Sequence, residues 1–213
     1  MENKVEEILT ALNIAEDVIG IFAYGSRVYG TATENSDYDY IIVTKGAFLK
    51  SGGFRQNAIS SSDRKIQGVL YSRSGFIDAI NNYDIAVLEC LFLDRKDVLL
   101  MKWPFKIQKW ETKVLVEKLI QKASASWYIA TQQIKDDYKE IAKKGIFHSL
   151  RILMFGLQLK EYGKIIDFTV ANSLKTEIDN FDLNEFDEKT YLTMRNNLML
   201  KLRNENNSTS STN

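Results

Sequence analysis

Residues 24–43 read YGSRVYGTATENSDYDYIIV, and this stretch decides the fold. The apolar, β-rich run Val18–Tyr24 leads into its Gly-Ser dipeptide and predicts a buried strand. Turn-forming residues over 27–36 predict a connection. From Asp37 to Val43, charged and large side chains alternate before a fully apolar end, which predicts a second strand. The stretch therefore predicts two strands joined through a Gly-Ser turn.

An acid pair opens the second of these strands. Asp37 and Asp39 are separated by one residue, and alternate residues of a strand point to the same face. Two carboxylates on one face repel each other unless a cation lies between them. Mg²⁺ binds through one or two protein carboxylates together with substrate phosphates. The pair is therefore a candidate site for Mg²⁺ (or Mn²⁺) and a nucleoside triphosphate (NTP).

The Gly-Ser turn supplies groups that bind phosphate. Gly25 permits close approach of the backbone, and the Ser26 hydroxyl can hydrogen-bond to triphosphate oxygens. Arg27 follows directly and adds positive charge. These three residues are the predicted nucleotide-binding residues of the turn.

This combination resembles the signature of the DNA polymerase β-like nucleotidyltransferase superfamily: a Gly-Ser turn, a spacer, and Asp-x-Asp in apolar surroundings. The longer pattern GSRVYGTATxxSDYDY is similar to a narrower branch, the predicted nucleotidyltransferases of bacteria and phages. Residues 69–92 and 144–151 fit that branch as well. The resemblance implies an α+β fold, with a small nucleotidyltransferase head whose mixed β-sheet is flanked by helices. An α-helical C-terminal domain is expected to follow.

The resemblance also implies an activity. A metal-dependent enzyme of this kind moves a nucleoside monophosphate (NMP) from an NTP to a hydroxyl acceptor and releases pyrophosphate, with Asp37 and Asp39 as catalytic residues and metal ligands. An RNA 3′ end is the preferred acceptor, because basic residues outnumber acidic ones between Arg95 and Lys160. A protein hydroxyl or a small molecule is the alternative.

The superfamily has a third carboxylate on the next strand, and here the pattern departs. The matching position is Gln67, which is neutral and cannot accept a proton. Asp63, at the expected entry to that strand, is the predicted substitute and thus the third catalytic residue. Without a third acid, the chain is expected to bind NTP but to transfer slowly or not at all. That alternative is a degenerate nucleotidyltransferase acting as an NTP-binding or partner-binding module.

A helical Lys/His/Arg motif matches a further element of the branch. Lys144, His148 and Arg151 recur at i, i+4 and i+7, which places them on one helical face. They are predicted to bind the triphosphate or a polynucleotide backbone. The alternative is a surface or interdomain patch in which His148 makes structural hydrogen bonds.

Composition restricts the class of protein but does not name its partner. The chain has 213 residues, 28 basic and 28 acidic side chains, and a formal net charge of zero. Its single cysteine, Cys90, lies in an apolar run, which excludes a disulfide framework. No stretch approaches the length of a membrane span, and the amino terminus lacks the apolar core of a signal peptide. We therefore expect a cytoplasmic protein with no membrane partner.

Helical periodicity and loop composition predict the domain organisation. Residues 3–13 are expected to form a short helix, 45–62 a long loop, and 66–71 a third strand, with Ser72 or Ser74 capping the next helix. Long helices are expected from about residue 111 to Ile141 and from about Phe147 to Gly163, followed by helices over 168–180 and 186–203. The predicted domains are 1–105 (catalytic), 106–203 (helical) and 204–213 (a disordered tail without apolar residues).

Overall fold

A five-stranded mixed sheet forms the centre of the first half of the chain. The computed structural model describes residues 2–15, 17–46, 56–180 and 188–204. The elements of the first half are α1 (Glu2–Ala11), β1 (Val18–Tyr24), α2 (Ser26–Tyr29), β2 (Tyr38–Thr44), β3 (Gln56–Ser60), β4 (Ile66–Ser72), α3 (Arg73–Asn81), α4 (Ile85–Leu91) and β5 (Val98–Met101). The strand order is β3-β4-β2-β1-β5. Only β2 and β4 run parallel; the other neighbouring strands are antiparallel.

Side chains that alternate along the central strands fill two separate apolar clusters. On β2, Ile41 and Val43 belong to a cluster that includes Phe76 and Ile80 of α3 and Val87 of α4. Tyr40 and Ile42 belong to the other cluster, which includes Ile8 and Leu12 from the α1 region. The sheet is thus covered by α1 on one face and by α3 and α4 on the other. Residues 37 and 39 share the parity of Ile41, so the predicted acid pair falls on the α3–α4 side.

The second half of the chain is helical. Its elements are α5 (Thr112–Lys135), α6 (Lys139–Tyr162), α7 (Asn172–Asp179) and α8 (Glu188–Arg203). Helices α5 and α6 pack closely at Gly145, where an added Cβ would lie 2.8 Å from the Cβ of Ala130. Ser149 Oγ donates to the Ala123 carbonyl at 2.7 Å across the same interface. The contacts divide the chain into two compact units, Met1–Trp110 and Glu111–Asn213.

The mixed sheet with flanking helices and the helical second unit confirm the α+β prediction. Ser72 Oγ accepts from the Gly75 amide, so the predicted cap of α3 is confirmed as well. Among the described residues, no helix combines the length and the apolar character needed to cross a membrane.

Several local predictions need correction. The first long helix ends at Lys135 rather than Ile141, because Asp137 adopts φ 63°, which no α-helix can contain. The predicted loop 45–62 contains β3, and the connection after β1 contains the short helix α2. The central part of that loop, 47–55, and the predicted tail apart from Asn204 lie outside the described residues.

Candidate active site

Strand pairing brings the acid pair to the Gly-Ser turn. Asp39 of β2 lies opposite Tyr24 of β1, and Gly25 is the next residue along the chain. Gly25 has φ 80°, and a Cβ added there would lie 2.9 Å from Asp39 Cγ and overlap the carboxylate oxygen. Only glycine therefore allows the turn and the carboxylate to approach each other this closely.

The two carboxylates lie in one partly buried environment. The pKa of Asp39 is raised to about 6: burial makes the largest contribution, the charge of Asp37 adds to it, and the Arg27 guanidinium opposes both effects. A divalent cation between the carboxylates would remove this repulsion. Two half-buried carboxylates, one of them in close contact with a glycine turn, are a donor set that fits Mg²⁺ or Mn²⁺.

This environment leads to a prediction about stability. In the folded state Asp39 keeps its proton up to about pH 6, whereas an unfolded aspartate loses it near pH 4. The contribution of this side chain to the free energy of unfolding is therefore fully present at low pH and is lost as the pH rises between these two values. At pH 7 without metal, we expect the free energy of unfolding of the Asp39→Asn variant to exceed that of the unmodified protein by about 1 kcal/mol. This value is smaller than the pKa shift alone would give, because the side chain is partly exposed to solvent. Mg²⁺ should raise the Tm of the unmodified protein and not that of the variant. Thermal unfolding with and without Mg²⁺ measures both effects, and an equal Mg²⁺ response in the variant would exclude this cation site.

A second prediction concerns Gly25. Alanine there would be strained by the positive φ and would also collide with the Asp39 carboxylate. Gly163 provides the matched control, because it has φ 67° with open space around it. Both alanine variants should lose about 1 kcal/mol of stability through φ alone. We expect only Gly25→Ala to lose Mg²⁺-dependent NTP binding in a calorimetric titration; equal binding by the two variants would contradict this role of Gly25.

Arg27 is bonded to the backbone that leads into the acid strand. Its Nη2 donates to the Ser36 carbonyl at 2.6 Å and its Nε to the Asp37 carbonyl at 3.2 Å. The guanidinium also stacks 3.8 Å from the centre of the Tyr38 ring. The side chain was predicted to bind phosphate; the structure shows it bracing the segment that carries Asp37.

The strand after the acid pair brings Gln67 to the site. In the parallel register of β2 and β4, Gln67 lies beside Asp39, and its Nε2 donates to Asp37 Oδ2. An amide therefore holds the orientation of Asp37 at the position where the sequence comparison expected a third acid.

Asp63 lies in the turn between β3 and β4. Its Oδ1 accepts from Ser61 Oγ at 2.7 Å and from the Lys65 amide at 3.0 Å, and these two bonds lower its pKa. Within the described ranges, no three His, Cys, Asp or Glu side chains form a group able to hold one metal ion. The structure thus gathers Gly25, Asp37 and Asp39 together with Gln67, but does not bring Asp63 into that group.

The helical Lys/His/Arg residues lie on α6 in the second unit. Arg151 is 5% exposed, and its guanidinium lies between the rings of Phe147 and Phe155, 5.8 and 5.6 Å from their centres. Burial, together with the charges of Arg151 and Lys122, lowers the pKa of His148 to about 3. His148 is therefore neutral at pH 7, and its Nδ1 accepts from Arg151 Nη2 at 3.0 Å. Of the three, only Lys144 is exposed.

The sequence analysis did not predict one buried hydrogen bond near the turn, between Tyr29 and Glu89. Glu89 of α4 is 1% exposed, and its Oε2 accepts from the Tyr29 hydroxyl at 2.6 Å. The available signal was a single acid within the apolar run Ile85–Phe92. A lone acid among apolar neighbours indicates a buried hydrogen bond, but does not tell which partner makes it.

Comparison with known proteins identifies a family for most of the chain. A family model described as a nucleotidyltransferase domain matches residues 3–170, which include the turn, the acid pair and α6. The sequence matches no curated protein.

Two solved structures are also similar in part. One is a spectinomycin adenyltransferase from Enterococcus faecialis with ATP and spectinomycin (15% identity, TM-score 0.49, covering 95% of this chain and 98% of that chain). The other is a nucleotidyltransferase-like protein from Exiguobacterium sibiricum (13% identity, TM-score 0.34, covering 95% and 73%). The family of the chain is given by the match over residues 3–170.

Proposed function

Because the chain belongs to the nucleotidyltransferase domain family, we propose that it moves an NMP from an NTP to a hydroxyl acceptor with the help of Mg²⁺ or Mn²⁺. The observation that carries this proposal is the close approach of Gly25 to the Asp39 carboxylate, next to Asp37. A backbone turn that binds phosphate and a carboxylate pair that binds a cation are both needed to hold a metal–NTP complex.

In the proposed reaction, the acceptor oxygen attacks the α-phosphorus of the NTP, the bond from that phosphorus to the bridging oxygen breaks, and pyrophosphate leaves. Asp37 and Asp39 would hold the metal, which when bound offsets negative charge on the phosphate oxygens. The Gly25–Ser26 turn would bind the triphosphate through its amides and the Ser26 hydroxyl. Arg27 would add charge from the position where it braces the backbone before Asp37.

The acceptor hydroxyl must lose a proton in this reaction. Gln67 cannot take it, since an amide has no basic group at neutral pH. We propose that the Asp63 carboxylate acts as the general base and accepts this proton. This role requires the carboxylate to give up its hydrogen bonds to Ser61 and Lys65 and to accept one from the acceptor hydroxyl instead. Replacing Asp63 with Asn tests this role directly.

RNA is the acceptor that we propose first, because of the excess of basic residues between Arg95 and Lys160. The proposed binding role of the α6 motif rests mainly on Lys144, whose exposed side chain is free to meet phosphate. His148 and Arg151 lie beneath that helical face and are hydrogen-bonded to each other. A protein hydroxyl and a small molecule stay as the other acceptor classes.

A second candidate function is an NTP-binding module without transfer activity. The observation that favours it is the amide of Gln67 bonded to Asp37, at a place where an acid would complete a catalytic set. Such a protein would bind metal–NTP through the same turn and acid pair. General-base assistance contributes about 10² to 10⁴ to a rate, so its loss slows transfer without preventing binding.

The test is to incubate the purified protein with each of the four NTPs, radiolabelled at the α-phosphorus, in Mg²⁺ or Mn²⁺. Parallel samples contain total RNA or protein alone. Metal-dependent label in RNA would support the enzyme and its proposed acceptor, whereas label in the protein itself would identify protein as the acceptor. Metal-dependent NTP binding without label in RNA or in the protein would favour the binding module or a small-molecule acceptor.

A further inference from the structure

The Gly25–Ser26 turn, which is proposed to bind the triphosphate, leads into a helix that is too short to be stable by itself. Helix α2 has four residues, Ser26–Tyr29, and is bounded by Gly25 and Gly30, both with positive φ. Helix nucleation is unfavourable, and a single turn has no stability of its own in water. The placement of Ser26 therefore depends on contacts that α2 makes with the rest of the first unit.

Two side chains of α2 make such contacts, in different directions. Arg27 binds the carbonyls of Ser36 and Asp37, which ties α2 to the segment entering β2. Tyr29 is 3% exposed, and its ring packs edge-to-face on Tyr24 at 6.0 Å. Its hydroxyl donates to Glu89 Oε2, which ties α2 to α4.

Glu89 lies in an environment that does not suit an acid. It is 1% exposed, and its neighbours Val87, Leu88 and Cys90 are all buried. Burying a carboxylate is unfavourable unless hydrogen bonds compensate for the lost water, and an apolar residue would pack here without that cost. In a buried environment of low dielectric constant, a hydrogen bond is stronger than one exposed to water. Tyr29 is therefore held at its hydroxyl as well as at its ring.

We infer that Tyr29 and Glu89 are positioning residues for the NTP site: their buried hydrogen bond fixes α2 against α4 and so holds the Gly25–Ser26 turn in its phosphate-binding geometry. This inference rests on the proposed function, because the proposed function assigns the triphosphate to the turn. Neither residue touches the reacting atoms. The effect is expected on binding of the triphosphate and is independent of the base of the nucleotide.

Tripolyphosphate with Mg²⁺ is the probe, because it presents the phosphate chain alone. We expect Tyr29→Phe to weaken its binding about tenfold, which is at the lower end of the effect of leaving a buried hydrogen-bond acceptor without its donor. Glu89→Gln keeps an acceptor oxygen at the same place and should bind within about threefold of the unmodified protein. Titration calorimetry, with a denaturant curve for each variant, measures binding and stability separately.

Tyr83→Phe is the matched control. Tyr83 is 4% exposed in the same unit, and its hydroxyl donates to the Lys109 carbonyl at 2.8 Å, away from α2. Its variant should lose stability as Tyr29→Phe does, and keep full affinity for tripolyphosphate. Equal weakening in the two variants would assign the Tyr29 effect to general stability and overturn the inference.

A double variant covers the case in which Tyr29→Phe alone does not fold. Tyr29→Phe/Glu89→Met removes both polar partners, which leaves no buried carboxylate without its donor. It should fold and still bind about tenfold more weakly; unchanged binding would overturn the positioning role. If the unmodified protein fails to bind tripolyphosphate with Mg²⁺, the proposed function of the turn fails and the inference fails with it. If the unmodified protein binds tripolyphosphate and the variants bind it equally well, the inference is refuted but the proposed function of the turn is not.

Discussion

Replacing Asp37 and Asp39 with asparagine is expected to abolish metal-dependent transfer, with each single variant slower by more than about a thousandfold. Asparagine keeps the size and the hydrogen-bonding capacity of the side chain, but loses the negative charge that holds a divalent cation. Asp39→Asn also removes the charge repulsion within the pair, so the variants should fold at least as well as the unmodified protein. Label transferred from an α-labelled NTP measures the rate, and circular dichroism confirms the fold.

The control for this prediction is Asp17→Asn. Asp17 belongs to the same unit, its side chain is 57% exposed, and it pairs with Lys45 and Lys102 at 3.9 and 3.7 Å. Exposed ion pairs contribute little to stability, so this variant should retain full transfer. Transfer that persists in a folded double variant of Asp37 and Asp39 would show that the chemistry lies elsewhere.

The Gln67→Glu variant is expected to transfer NMP at least about tenfold faster than the unmodified protein, because general-base assistance can add about 10² to 10⁴ to a rate. The register places residue 67 beside Asp39, and its side chain already reaches Asp37 Oδ2. A carboxylate there would add a proton acceptor and a third oxygen donor for a cation. The initial rate of α-label transfer in Mg²⁺ measures the effect.

Two further variants separate the explanations of that result. Gln67→Met removes the amide that orients Asp37, and should slow transfer without abolishing NTP binding. Asp63→Asn removes the carboxylate already proposed to accept the proton. A Gln67→Glu variant that is no faster would contradict the prediction for residue 67, and an inactive Asp63→Asn variant beside it would show that Asp63 accepts the proton unaided. A Gln67→Glu variant that loses transfer would mean that the amide bond to Asp37 is itself required.

Sequence patterns predicted the central strands because each contains a run of apolar residues close to turn-forming residues. Strands β1, β2 and β4 are of this kind, and their burial follows from composition alone. Strand β3 is not, because it is a five-residue edge strand that ends in serine and follows a Gly- and Ser-rich segment. An edge strand is stabilised by pairing with β4 rather than by its own pattern.

The Gly-Ser turn and the acid pair could be predicted to form one site. Glycine permits the close backbone approach that phosphate binding needs, and acids at the start of a strand supply the negative charge that a cation needs. The direction of long polar side chains could not. Arg27 has a flexible stem, and its guanidinium satisfies two backbone carbonyls that no local pattern encodes. The bond from Tyr29 to Glu89 joins residues 60 positions apart, and depends on how α4 packs on the sheet. Such contacts are tertiary and become visible only once the fold exists.

The most direct test of the proposed activity compares two samples of the same NTP, one radiolabelled at the α-phosphorus and the other at the γ-phosphorus. Each is incubated with the protein, Mg²⁺ and total RNA, beside the Asp37→Asn/Asp39→Asn variant. We predict α-label attached to a macromolecular acceptor and γ-label released as pyrophosphate, both dependent on the two aspartates. Attachment of γ-label to the acceptor, or equal attachment of α-label in the variant, would contradict NMP transfer at this site.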